Sequence, residues 1–113
     1  MFIVLQDTIP KLISMLKLEN IKDELVLSIL VTLTNFAVLS ECHGEFFPAL
    51  HTAYDLVERK PPAIKLQALK LLINLSCNDD MVPSLLAAQV HIFLYYQKSP
   101  FHHITCEIFT LIN

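Results

Sequence analysis

The 113-residue chain contains a single glycine, Gly44, and no tryptophan. One glycine excludes a turn-rich β architecture and leaves no glycine-rich loop to cradle a phosphate. Charge is scarce as well: 17% of residues are charged, against about a quarter in ordinary soluble domains. The formal net charge of −3 gives neither a basic surplus for nucleic acid nor a polybasic anchor for lipid. Long apolar runs are also missing. The longest stretches without Asp, Glu, Lys or Arg are residues 25–40 and 81–97. The first carries Ser28, Thr32, Thr34 and Asn35; Pro83, Gln89 and His91 interrupt the second. Neither supplies the roughly 18–20 apolar residues that a spanning helix requires. The opening Met1-Phe-Ile-Val-Leu5 has no basic region and soon meets Asp7, so it does not read as a signal peptide.

What the chain does have is apolar residues, 54% of the total. Such a proportion leaves two explanations. Either the helices cross a membrane as a small integral protein built on 25–40 and 81–97, or they are buried on several sides of a stack. The three cysteines, Cys42, Cys77 and Cys106, are odd in number and widely spaced. They fit a reduced intracellular setting better than a disulfide framework.

A repeat decides how to read the apolar content. Asn35, Asn74 and Asn113 stand 39 residues apart, and each closes a similar segment. The segments are Ser28-Ile-Leu-Val-Thr-Leu-Thr-Asn35, Gln67-Ala-Leu-Lys-Leu-Leu-Ile-Asn74 and Cys106-Glu-Ile-Phe-Thr-Leu-Ile-Asn113. Leu33, Leu72 and Leu111 lie two positions before the asparagines; Leu30, Leu69 and Ile108 lie five before. A helix-length pattern with this period marks a helical solenoid, whose units bury their apolar faces against neighbours. Phe47-Pro-Ala-Leu50 echoes Ile9-Pro-Lys-Leu12 at nearly the same interval.

Apolar periodicity predicts seven helices. The first spans 6–17, with Asp7 or Thr8 as cap and Pro10 in its first turn. Asn20 or Asp23 opens a second that runs to Leu39, and Gly44 is its expected stop signal. A third runs through 47–57. The prolines Pro61 and Pro62 pre-set a fourth over 63–77. Asn78, Asp79 and Asp80 offer caps for a short helix over 81–88, then 90–97 and 102–113 follow. Phe46, Phe47 and Tyr54, like Phe93, Tyr95 and Tyr96, are expected as packing residues of the shorter helices.

These residues resemble a known pattern. Thr8-Ile-Pro-Lys-Leu-Ile-Ser-Met-Leu16 is similar to the second helix of an armadillo repeat, and Leu66-Gln-Ala-Leu-Lys-Leu-Leu-Ile-Asn-Leu-Ser76 to its third. A narrower set resembles the armadillo-like domain of the X-linked armadillo-containing and GPCR-associated sorting protein group. It comprises Thr32-Leu-Thr-Asn35, Leu69-Lys-Leu-Leu-Ile-Asn-Leu-Ser76, Met81 and Leu85-Leu-Ala-Ala-Gln-Val90. The resemblance implies an all-α, armadillo-like right-handed superhelix of about three units. It implies a scaffold or adaptor acting at the mitochondrial outer membrane or in receptor sorting, with no enzymatic activity and no cofactor. Relatives in that group carry an N-terminal anchor or extension, and their repeats continue beyond the equivalent of Asn113. The chain is therefore expected to be one armadillo-like domain, 1–113, that is a fragment or shortened form. Its expected location is the cytoplasm, or the mitochondrial outer membrane through a parent sequence.

Residues four and seven before each asparagine share its side of a helix. Three rows result: Ser28, Val31 and Asn35; Gln67, Lys70 and Asn74; Cys106, Phe109 and Asn113. A polar stripe on an otherwise apolar helix must face water or a partner, and the resemblance implies that the rows line a concave groove. Two uses are open. An asparagine amide can pair with the backbone of an extended peptide, or it can cross-link helices within the stack. Peptide receptors such as importin-α carry a tryptophan four residues before the asparagine. Here Val31, Lys70 and Phe109 hold that place, so a nuclear-localisation-signal groove is not expected. His103 and Cys106 are three apart and could share a face, but no oxyanion-building loop accompanies them. Cys42-His43 has no second pair at metal-finger spacing. Cys77 and Cys106 are expected as small apolar fillers. The expected partners are proteins, with self-association through uncovered solenoid ends as a further route, and no nucleic acid.

Overall fold

The computed structural model describes the backbone of residues 2–59 and 61–96 and the side chains of 7–58 and 61–89. The described residues are all-helical and contain no strand. Five α-helices are present: α1 Phe2–Leu16, α2 Asp23–Phe36, α3 Leu50–Arg59, α4 Pro62–Ser76 and α5 Val82–Tyr96. Two 3-10 helices, Ser40–Ala49 and Asp79–Met81, precede α3 and α5. The predicted helix over 102–113 lies outside the described residues.

The helices form two layers. In one, α2 and α4 pack side by side. In the other, α1, the first 3-10 helix, α3 and α5 follow one another, each packed on the next. Contacts of α3 with α4, and of α1 with α2, join the layers. The apolar spacing explains which faces meet. Ile9, Ile13 and Leu16 form the buried stripe of α1. Val26, Ile29, Leu30 and Leu33 do so in α2, and Ile64, Ala68, Leu71, Leu72 and Leu75 in α4. These are the i, i+3, i+4, i+7 positions of one helical face. Phe46 and Tyr54 are fully buried between the layers, while Phe47 is 46% exposed. Phe47 therefore does not pack as expected.

The starts of α2 and α4, Asp23 and Pro62, are 39 residues apart, as the repeat requires. Their ends depart from expectation. Helix α2 stops at Phe36 and is closed by Ala37 in ordinary right-handed geometry. Gly44 has no positive φ and lies inside the first 3-10 helix, so it is not the stop. That helix runs ten residues, longer than the usual three or four. Helix α1 begins at Phe2, which puts Pro10 inside it. Pro10 is exposed, so the carbonyl it leaves unpaired one turn back can be hydrated. The echo between residues 9–12 and 47–50 therefore joins unlike structures, since the second straddles a 3-10 helix and α3.

At α4 the prolines act as expected: Pro61 is the cap and Pro62 the first helical residue. The expected break near residue 89 is absent. Pro83 sits in the first turn of α5, where its missing N–H costs nothing, and the helix continues through Gln89. No helix among the described residues is long and apolar enough to cross a membrane.

One polar contact ties the repeats together through the second layer. The Tyr54 hydroxyl donates to the Leu85 carbonyl at 3.1 Å, linking α3 to α5. Burial pushes the Tyr54 phenol up to about 12, from an ordinary value near 10. The folded state thus holds this proton more tightly than the unfolded chain does. Its contribution is complete below about pH 10 and is lost as pH rises toward 12. Unfolding measured across that window should show less alkaline destabilisation in Tyr54→Phe than in the parent. An identical alkaline slope would mean that Tyr54 titrates as in water.

Candidate protein-binding face

The row of Gln67, Lys70 and Asn74 lies on α4, but its members do not share one environment. Lys70 is exposed, whereas Gln67 and Asn74 are half-buried. Asn74 Nδ2 donates to the Thr34 carbonyl at 3.1 Å. Gln67 Nε2 donates to Thr34 Oγ1 at 3.1 Å. Thr34 is itself buried and donates to the Leu30 carbonyl at 2.6 Å. Both amides are thus turned from α4 towards α2. On α2, Ser28, Val31 and Asn35 are all exposed. Ser28 Oγ is returned to the Glu24 carbonyl one turn back, the usual local use of a helical hydroxyl. The third row, Cys106, Phe109 and Asn113, lies outside the described residues, as does His103.

Exposed apolar residues border Lys70. Leu66 is 54% exposed and Ile73 is 45% exposed, and both share its side of α4 at four- and three-residue spacing. Val31 on α2 is 40% exposed. The open edge of α4 therefore combines one cation with apolar surface. Leu69 lies between this edge and the core and is only half-buried. The repeat leads one to expect Leu69 and Leu72 as the most buried leucines; Leu72 is, together with Leu71 and Leu75, but Leu69 is not.

The C-terminal ends of α2 and α4 meet at His43, a residue whose capping role the sequence did not announce. His43 is buried, and its Nε2–H donates to the Ala37 carbonyl at 2.6 Å. Its Nδ1 accepts from Asn78 Nδ2 at 3.0 Å. A carbonyl can only accept, so the geometry selects the neutral Nε2–H tautomer. Asn78 in turn accepts from the Asp80 amide at 3.0 Å, capping the second 3-10 helix. One imidazole thus caps α2 and reaches the cap that follows α4. The signal available in sequence was a histidine within a turn or two of a helix C-terminus, where side chains pair with the last carbonyls. A cleft of about 480 Å³ opens beside this bridge, with Val38, His43, Asn74, Asn78 and Asp79 among its lining residues.

The two described cysteines sit in different settings. Burial pushes the Cys42 thiol up, and the Glu41 and Glu45 carboxylates push it further. That disfavours the nucleophilic thiolate. Cys77 is exposed, not a core filler, and its Sγ lies 3.5 Å from the Ile73 carbonyl. Among the described residues no group of three His, Cys, Asp or Glu side chains could hold a metal ion.

In comparison with known families, the model of a family described as Armadillo-like matches residues 3–112. Compared with curated proteins and with solved structures, the chain matches none.

Proposed function

Because this chain belongs to the Armadillo-like family, we propose that it is a non-enzymatic protein-interaction scaffold, an adaptor of armadillo type. The observation that carries the reading is the open edge of α4, where Lys70 stands between the exposed Leu66 and Ile73. An ammonium flanked by apolar side chains suits a partner protein that offers a carboxylate within an apolar patch. The candidate face comprises Ser28, Val31, Asn35, Gln67, Lys70 and Asn74, with the third row, Cys106, Phe109 and Asn113, as its extension. Within it, Ser28, Val31, Asn35 and Lys70 are the accessible described members. The finer reading is a role in mitochondrial positioning or receptor sorting, supported by the likeness of residues 32–35 and 69–76 to that armadillo group. The chain would then act in the cytoplasm or at the mitochondrial outer membrane. Self-association is the other expected partner class.

The linear-peptide receptor is the less favoured reading, because the amides of Gln67 and Asn74 are already hydrogen-bonded to Thr34. Proximity labelling around the chain in cells identifies partners, and Lys70→Glu then tests the face. The variant should weaken capture of a recovered partner about tenfold or more. Its helical circular dichroism should be unchanged, since an exposed substitution shifts stability by about 0.5 kcal/mol or less. Undiminished capture with a normal spectrum would move the interface to the layer of shorter helices.

A further inference from the structure

The bridge at the C-terminal ends of α2 and α4 is a chain of hydrogen bonds whose two ends cannot change role. One end is the Ala37 carbonyl, which can only accept. The other is the Asp80 backbone amide, which can only donate. Between them, Asn78 turns Oδ1 to the Asp80 amide and Nδ2 to His43 Nδ1, each at 3.0 Å. An amide nitrogen only donates, so Nδ1 must offer its lone pair and Nε2 must carry the proton given to Ala37. The bridge therefore has room for one ring proton and no more. Imidazole is the side chain that ordinarily gains a second proton between about pH 5 and pH 8.

We propose that His43 is a proton-operated latch: a second proton on its ring, at Nδ1, displaces Asn78 and frees the turn after α4 from the end of α2. The proposal goes beyond the adaptor reading and does not depend on it. The bond from Nε2–H to Ala37 survives, because imidazolium donates from both nitrogens, so α2 keeps its cap. Nδ1–H and Asn78 Nδ2–H then meet donor to donor. Turning the Asn78 amide over repairs that contact but sets Nδ2 against the Asp80 amide, again donor to donor. Either way one link fails. The first ties the turn to His43, and the second caps the second 3-10 helix. The proton has a way in, since His43 lines the cleft of about 480 Å³. Asp79, Asp80 and the Cys77 thiol line the same cleft, and Glu41 and Glu45 flank the ring on its own helix. Helix α2 brings no charge to this end, because Asp23 and Glu24 lie in its first turn. Helices α1 and α3 also pack on the first 3-10 helix. Their described ionisable side chains are Lys11, held by Asp7 at 3.0 Å, with Lys17, His51, Asp55 and Glu58. The Asn74 bond to the Thr34 carbonyl and the buried leucines take no part in the change. The latch therefore opens one end of the α2–α4 joint and leaves its core closed.

Solution NMR of the full chain between about pH 8 and pH 5, a window above the ordinary carboxylate range, tests this. At the alkaline end the His43 ring nitrogens should report the neutral Nε2–H tautomer. As pH falls, protonation of Nδ1 should shift the Asn78 side-chain amide and the backbone amide of residue 80 with one shared midpoint. Circular dichroism should stay helical throughout. Asp80→Asn removes the neighbouring carboxylate and should keep the response, whereas His43→Gln should abolish it. A ring that stays neutral across the window, or that protonates without moving both amides, overturns the latch. A residue-80 response with its own midpoint, one lost in Asp80→Asn, or one kept in His43→Gln overturns it as well. Loss of helical signal together with ring protonation would mean general unfolding and overturns it too. Should His43→Gln fail to fold, the parent and Asp80→Asn titrations decide between these results.

Discussion

Leu72→Ala should cost about 2–5 kcal/mol of unfolding free energy, the range for truncating a well-packed core leucine. Leu72 has no exposed surface and belongs to α4, which packs on both α2 and α3. The side chain cannot be replaced by simple collapse, because helices hold the site on two sides. Leu69→Ala, on the same helix but half-buried, should cost clearly less. Denaturant unfolding of the two variants gives the comparison directly. Equal losses, or a Leu72 loss within the range of exposed sites, would mean that α4 is not central to the core.

The second large effect is expected at His43. His43→Leu keeps the volume roughly but removes the donor to the Ala37 carbonyl and the acceptor for Asn78 Nδ2. Leaving a buried polar group unpaired costs about 1–3 kcal/mol. Ala37 is buried, so most of the loss arises at its carbonyl; Asn78 is half-buried and recovers water. The total should be about 2–4 kcal/mol on that basis. His43→Gln retains an N–H for the carbonyl and should recover part of it. If His43→Leu unfolds at the parent denaturant midpoint, the imidazole does not hold the two helix ends together.

These effects show what the sequence made legible. The 39-residue period located α2 and α4 and their equivalent starts, since a buried helix must repeat its apolar stripe. It also placed Lys70 outside the core, because an ammonium among apolar neighbours has to reach water. The fates of Gln67 and Asn74 were not legible in the same way. A period says which positions are equivalent, but not which neighbour each one faces. That depends on the roll of each helix about its axis, which Thr34 and the core leucines set together. Glycine rules misplaced the end of α2 for a related reason. A side chain six residues on, His43, satisfies the terminal carbonyl, so no left-handed glycine is needed. The expected break near residue 89 failed because α5 runs on through Gln89, which is buried.

The split within one row is the central claim: Asn74 serves the stack and Lys70 serves a partner. It is tested by measuring stability and binding of Asn74→Ala and Lys70→Glu together, against a partner recovered by proximity labelling. Asn74→Ala should lower unfolding free energy by about 1 kcal/mol, the net worth of a typical hydrogen bond, and leave partner affinity intact. Lys70→Glu should do the reverse, holding stability within about 0.5 kcal/mol while affinity falls. The opposite pattern, with Asn74→Ala as stable as the parent but unable to bind, would contradict the account and make the asparagine row a peptide-binding ladder.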